Sequence, residues 1–105
     1  MADFMKIMQQ AQQMQSRLQE IQDELAKKTV SAAAGGGMVT VTADGKGQVR
    51  SIKLDPSVVN PNDVEMLEDL VLVAVSEAQK KAAELAQGEM GKLTGGLDLP
   101  FKLPF

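Results

Sequence analysis

The stretch IKLDPSVVNPNDVEMLEDLVLVAVSEAQKKAAELA, residues 52–86, contains the end of a strand, a turn and a long helix. Ile52 and Leu54 alternate with polar residues, as in a strand that has one buried face. The two prolines that follow prevent the strand from continuing, because proline lacks a backbone donor and fixes its own φ. An asparagine on either side of Pro61 can cap a helix. We therefore predict a helix over residues 62–87.

A second long helix is predicted at the start of the chain, over residues 4–27. Asp3 can serve as its N-cap, and Gln, Glu, Lys and Ala fill most of its positions. Its apolar residues follow one another in steps of three and four, the spacing of a heptad seam; they are Phe4, Ile7, Ala11, Met14, Leu18, Ile21 and Leu25. At about 1.5 Å per residue the helix exceeds roughly 30 Å. Part of it is expected to project or to meet another helix.

Between the helices the pattern predicts three short strands, over residues 29–34, 38–43 and 48–54. Three consecutive glycines precede the second strand and mark a loop or bulge. The Asp44-Gly45-Lys46-Gly47 segment has the turn chemistry of a β-hairpin. A three-stranded antiparallel meander is the simplest arrangement, and such a small sheet needs a helix across one face.

The chain therefore belongs to the α+β class, with the order α-β-β-β-α. At 105 residues it forms one small domain, which we assign to residues 1–93. Residues 94–105 contain two glycines and two prolines and are expected to form a flexible C-terminal tail.

The second helix is apolar on every side over residues 70–75, which is unusual for an exposed helix. A domain of this size can hardly bury such a segment alone, so self-association is expected. A well-covered monomeric core remains the alternative. The residues predicted for a dimer interface are Leu67, Leu70, Val71, Ala74 and Val75.

The residue types argue against an enzyme. The chain has no His, Cys, Trp or Tyr, which removes the commonest general base and the thiol nucleophile. The carboxylates of Glu65 and Asp69 are four residues apart on the outer face of a helix, where a solvated acidic face is expected. The glycine-rich loops lack the strand-to-helix setting of a phosphate-binding loop. We therefore expect no catalytic residue, no metal site, no cofactor and no small-molecule substrate.

Targeting signals are also absent from the pattern. Lys6 and a run of glutamines interrupt the start of the chain, and no uncharged apolar span reaches the roughly 18 residues of a membrane helix. The absence of cysteine is compatible with a reducing compartment. We expect a cytoplasmic protein that has no membrane partner.

The arrangement of cations is the remaining functional signal. Lys6, Arg17 and Lys28 are spaced by eleven residues, which returns to nearly the same face of a helix. Two further groups are Lys80 with Lys81, and Lys46, Arg50 and Lys53 around the hairpin. The formal net charge of −3 argues against nucleic-acid binding unless the cations are segregated. On the residues alone, solvated surface lysines and ordinary helix salt bridges remain open as explanations.

Three segments resemble a known family. DPSVV, EMLEDLV and GKLTGGL, together with the Met- and Gln-rich first helix, are similar to the YbaB/EbfC family of bacterial nucleoid-associated proteins. The resemblance implies a non-enzymatic homodimer joined through its central region, with outer helices that project like the arms of tweezers. It also implies double-stranded DNA as partner, location in the cytoplasm and nucleoid, and a role in nucleoid organisation and gene expression.

The resemblance does not name contact residues, so we chose them from charge and position. The predicted DNA-binding residues are Lys6, Arg17, Lys27, Lys28, Lys80 and Lys81. The alternative function is a protein–protein interaction module that docks a partner through its heptad helix.

Overall fold

The computed structural model describes residues 2–95. Two helices flank a three-stranded sheet, which confirms the predicted α+β class and the order α-β-β-β-α. Its elements are α1 (Ala2–Lys27), β1 (Thr29–Ala34), β2 (Val39–Asp44), β3 (Val49–Leu54) and α2 (Val64–Gly95), with a 3₁₀ turn at Pro56–Val58 between β3 and α2. The second and third strands begin one residue later than predicted, at the limit of what a sequence pattern can define.

The sheet is an antiparallel meander in the order β1-β2-β3. Val41 at its centre pairs with Ala32 of β1 and with Ile52 of β3. Residues paired across strands point to the same face, so one face is apolar. The opposite face carries hydroxyls, among them Ser31 and Thr42, whose side-chain oxygens are 3.1 Å apart.

The core lies between the apolar face of the sheet and α2. Val39 and Val41 are fully buried, and the helix places Ala74, Ala78 and Ala82 against the sheet. Their spacing of four keeps the small side chains on one stripe of the helix, which lets its backbone approach the strands closely. The predicted helix–sheet packing therefore forms within one chain.

The helix α2 covers β1 and β2 but leaves β3 largely uncovered. Ile52 and Leu54 share the apolar face with Val41 and Val39, yet they are 47% and 40% exposed. An edge strand with a bare apolar face is unusual in a small domain. This face is available to another element.

The hairpin between β2 and β3 is held by one buried carboxylate. Asp44 accepts hydrogen bonds from the backbone amides of Lys46 and Gln48 at 2.9 and 3.0 Å. The guanidinium of Arg50 approaches the other oxygen of that carboxylate at 2.8 Å. Burial alone would raise the pKa of Asp44, but these hydrogen bonds together hold it below its ordinary value.

The first helix meets this sheet only near its own C-terminal end. The amide of Gly45 donates to the carbonyl oxygen of Leu25 at 2.8 Å, and a Cβ at position 45 would lie 2.8 Å from that same oxygen. Glycine is therefore required for the close approach. From this contact the rest of α1 extends away from the sheet.

The direction of α2 follows from its contacts with the β1 side of the sheet. Lys81 contacts Ser31, whereas Leu70 lies against Gly35, so α2 runs opposite to β1. The molecule is 73 Å long, whereas α2 by itself spans roughly 48 Å at 1.5 Å per residue. The additional length is the N-terminal part of α1, which projects as the heptad pattern predicted.

Two predicted boundaries of α2 were wrong. The helix starts at Val64, because Asp63 caps it by accepting the amide of Met66 at 3.3 Å. At the other end it continues through Gly88 and Gly91 to Gly95 instead of ending at residue 87. Leu93 is buried and Glu89 forms ion pairs in this added segment, and both contacts favour continued helix over the weak helix propensity of glycine. Thr94 and Gly95 of the predicted tail are therefore helical, and its remainder, residues 96–105, lies outside the described residues.

Candidate nucleic-acid interface

The projecting part of α1 has one polar face. Gln9, Gln12, Gln13, Ser16 and Arg17 line a shallow surface on it, with Glu20 at one end. Amide and hydroxyl side chains both donate and accept hydrogen bonds, and all of these residues are exposed. Such a surface suits phosphate oxygens and groove atoms of a duplex.

Lys6 and Arg17 lie eleven residues apart on this helix, which at about 1.5 Å per residue separates them by roughly 16 Å. Both side chains are exposed. Within residues 2–95, neither forms a salt bridge or a side-chain hydrogen bond, and the same is true of Lys27. These three predicted cations are therefore available to a ligand.

Lys28 is engaged within the chain. Its Nζ lies 2.8 Å from Oε1 of Glu89, and Lys92 approaches the same oxygen at 3.5 Å. The hydrogen bond raises the pKa of Lys28 and, from the other side, lowers the pKa of Glu89. This ion pair ties the end of α1 to the last turns of α2. Lys28 therefore has a structural role that the spacing of the sequence did not indicate.

The two cations of α2 also differ from each other. Lys81 donates from Nζ to the backbone carbonyl of Ser31 at 2.8 Å, across the edge of the sheet. Lys80 has no such contact among the residues that the structure describes. Glu77 and Glu84 are helix neighbours that could form salt bridges with Lys81 and Lys80, but neither pair is formed within residues 2–95.

Around the hairpin, Arg50 is paired with Asp44, whereas Lys46 and Lys53 are exposed. The register shifts between Thr42 and Ala43, and this bulge lets Arg50 reach back to the carboxylate. An aspartate that opens a hairpin turn, with an arginine six residues later, was a usable sequence signal for this pair.

The predicted dimer-interface residues divide into two groups. Ala74 is fully buried against the sheet, and Leu70 packs on Gly35, so both serve the core of one chain. Leu67, Val71 and Val75 also pack against this core but are only partly buried, and they line a flank of α2 that carries Leu72. Sequence reasoning did not single out Leu72, although it is 65% exposed. The sequence feature that could have identified Leu72 is the apolar run in which it lies, residues 70–75.

Over the described residues, 2–95, no three acidic side chains come together in a way that could hold a metal ion. Neither helix in that range is long and apolar enough to cross a membrane.

The chain thus forms a small α-β-β-β-α domain whose projecting helix exposes a Gln-rich face, and Lys6, Arg17 and Lys27 of this helix are unpaired within residues 2–95. The model of the YbaB/EbfC DNA-binding family matches residues 1–97, and the chain belongs to this family.

Relatives cover essentially the whole chain. A nucleoid-associated protein of Gemmatimonas aurantiaca is 60% identical, over 98% of this chain and 99% of its own length. A nucleoid-associated protein of Rhodospirillum rubrum is 47% identical over 100% of both chains. Among solved structures, an uncharacterized protein of Helicobacter pylori has a TM-score of 0.80 at 20% identity, covering 88% of this chain and 97% of that one. The last likeness supports the fold.

Proposed function

We propose that this chain is a non-enzymatic, homodimeric protein that binds double-stranded DNA in the bacterial nucleoid, where it acts in nucleoid organisation and gene expression. The family match over residues 1–97 carries the proposal. The names of the relatives, nucleoid-associated proteins of several bacteria, support it and favour a cytoplasmic location.

The charge distribution supports contacts through α1. Lys6, Arg17 and Lys27 are unpaired within the described residues, and we propose that they bind phosphates, with Lys80 on α2 as a fourth contact. Lys28 and Lys81 contribute less, because each already binds an oxygen of its own chain. The acidic residues that open α2 begin at Asp63, at the opposite end of the domain from the projecting helix.

A homodimer resolves the conflict between the net charge of −3 and DNA binding. It presents two projecting helices, and two sites that engage one duplex reinforce each other through effective concentration. The field near each α1 then matters more than the total charge.

Two uncovered apolar surfaces support a proposal for where two chains meet. The apolar flank of α2, formed by Leu67, Val71, Leu72 and Val75, lies on the same helix as the sheet contacts. The bare apolar face of β3 carries Ile52 and Leu54. We propose that these two surfaces are covered when two copies pair, since full burial of one such side chain contributes about 1.5–3 kcal/mol.

One substitution pair tests the dimer. Leu72→Lys is expected to convert a dimer into a monomer in sedimentation experiments, because it places a charge in the proposed interface. Val73→Lys is the matched control: Val73 is also exposed, but it lies on the opposite flank of α2. A wild-type chain that stays monomeric at tens of micromolar would disprove the dimer.

The DNA-binding proposal is tested by titrating a duplex with the wild-type protein at two salt concentrations. Binding through phosphates weakens steeply with salt, by about 0.9 units of logarithmic slope for each phosphate contact. A protein-docking module would bind its partner with little salt dependence and would not shift the duplex. Absence of binding at low salt would rule out the proposed function.

A further inference from the structure

The heptad seam of α1 is covered at one end and bare at the other. Leu25 is only 2% exposed, and Leu18 and Ile21 are partly buried. Nearer the N-terminus, Phe4 and Ile7 are 66% and 61% exposed. We call the bare part the distal seam; it consists of Phe4, Ile7, Met8 and Ala11. Large apolar side chains in an uninterrupted row indicate a surface that another segment covers.

The buried part of the heptad seam ends close to the level at which α2, which packs against it, ends. Glu89 pairs with Lys28, and Leu93, one turn later on the same side of α2, is buried. Because α1 and α2 run in opposite directions here and Gln22 borders the same cavity as Ala86, Gly95 comes level with about Gln13 at 1.5 Å per residue. Beyond this level α1 continues without a partner among residues 2–95.

The sequence that follows α2 has the composition of a partner for this surface. After Gly95 and Gly96, every second residue is apolar over nine positions; these residues are Leu97, Leu99, Phe101, Leu103 and Phe105. Two of the three phenylalanines of the chain lie here, and the third is Phe4 of the distal seam. In an extended segment, alternate side chains point to one side.

We propose that residues 97–105 bind the distal seam of α1 and continue the cover that α2 begins. The distance from the end of α2 to the distal seam permits this contact. Phe4 lies roughly 14 Å beyond the level of Gly95, at 1.5 Å per helical residue, whereas ten residues can span up to about 35 Å. The segment is tethered beside the seam, so its effective concentration there is in the millimolar range.

A second copy of α1 is the competing occupant, because a heptad seam also fits another helix. The tethered segment is favoured since binding within one chain avoids the entropy cost of association. The two occupants predict different responses to dilution.

Hydrogen exchange of the α1 backbone amides over residues 5–14, measured on the full chain without DNA, tests the proposal. Replacing Phe101 and Phe105 by Ser is expected to speed their exchange at least tenfold, because an unsupported helix end frays. The amides of α2 over residues 70–82 should keep their protection. The matched control replaces Asp98 and Lys102 by Ser in the same segment and should leave both regions unchanged.

Two results would overturn the proposal. One is equal exchange of residues 5–14 in the wild type and in the Phe101→Ser, Phe105→Ser variant. The other is protection that falls on dilution and survives removal of residues 97–105, which would identify a second copy as the occupant. Neither result depends on whether the protein binds DNA.

The chain has no cysteine, so introduced pairs of cysteines can test the docking of residues 97–105 independently of hydrogen exchange. A variant with Ile7→Cys and Phe101→Cys is expected to form a disulfide between the two positions under mild oxidation. A variant with Gln9→Cys and Phe101→Cys should form its disulfide at least tenfold more slowly, because Gln9 lies on the polar face of α1. Equal rates for the two pairs would contradict docking on the seam.

Discussion

The two long helices of this protein differ in what surrounds them. The central part of α2 presses a stripe of alanines against the sheet, and Ala74, Ala78 and Ala82 have no exposed surface. The N-terminal part of α1 stands away from the sheet, with exposed glutamines on one face and exposed apolar residues on another. The difference indicates that α2 and the sheet form most of the core, whereas most of the N-terminal part of α1 is exposed.

Substitution by aspartate in each of the two long helices should produce the largest difference. Ala78→Asp buries an unpaired charge between α2 and the sheet and is expected to reduce the free energy of unfolding by roughly 4 kcal/mol or more. Gln13→Asp places the same charge on the exposed polar face of α1 and should change the free energy of unfolding by less than about 1 kcal/mol. Denaturant unfolding followed by circular dichroism would measure both. Similar losses in the two variants would contradict the division between the helices.

The contact between α1 and the hairpin, at Leu25 and Gly45, should give the next largest effect. Gly45→Ala is expected to cost about 1–3 kcal/mol, because its Cβ would meet the backbone of Leu25 and separate α1 from the hairpin. Gly36→Ala is a control without a steric clash, since no atom lies within 4 Å of its Cβ position, although its positive φ adds some strain. Unfolding curves for both variants would compare the two costs. A smaller loss for Gly45→Ala than for Gly36→Ala would disprove the tight junction.

The hairpin carboxylate predicts an acid dependence. The pKa of Asp44 is lower in the folded chain than its ordinary value of 3.8, so the folded state favours the ionised form. Its contribution to stability is therefore present above pH 3.8 and is lost as the pH falls through the folded pKa. Asp44→Asn should lower the melting temperature at pH 7 and flatten its decline below pH 4. An unchanged acid limb in the variant would show that other carboxyl groups control it.

Two adjacent lysines provide the smallest contrast. Lys27 is unpaired within residues 2–95, whereas Lys28 binds Glu89. Lys28→Gln is expected to lower the melting temperature slightly and to leave most of the DNA affinity. Lys27→Gln is expected to lower the DNA affinity and to leave the melting temperature unchanged. Equal effects of the two substitutions on DNA binding would show that the Glu89 contact opens when DNA binds.

Much of this arrangement was readable from the sequence. The heptad steps in α1, the alternation in β2 and the Asp-Gly-Lys-Gly turn gave the elements and their order. The end of α2 was missed, because the burial of Leu93 and the ion pair of Glu89 depend on a helix that is distant in sequence. For the same reason the spacing of Lys28 suggested a ligand contact, although the residue is held by its own chain.

The dimer-interface prediction shows a similar limit. Hydrophobicity identified the apolar run in α2, but only the packing of the sheet decides which side of it remains exposed. Ala74 was predicted to contact a second copy of the chain, but it is buried within its own chain. Leu72 is exposed and was not included in the predicted interface. The candidate DNA contacts remain proposals, because exposed charge indicates availability and not use.

The central claim is that α1 contacts the phosphates of the duplex. Its most direct test compares two variants in which the net charge is lowered by the same amount. Lys6→Gln with Arg17→Gln removes two positive charges from α1. Asn60→Asp with Asn62→Asp adds two negative charges to the exposed loop before α2, and an aspartate at 60 can still accept the hydrogen bond from the amide of residue 62.

Duplex affinity should be measured as a function of salt for both variants and for the wild type. We expect the α1 variant to bind at least tenfold more weakly, with a reduced logarithmic slope, since about 0.9 units are lost for each phosphate contact removed. The loop variant should retain the slope of the wild type. If both variants weakened binding equally, or if the α1 variant kept the full slope, the claim that α1 contacts the phosphates would be wrong.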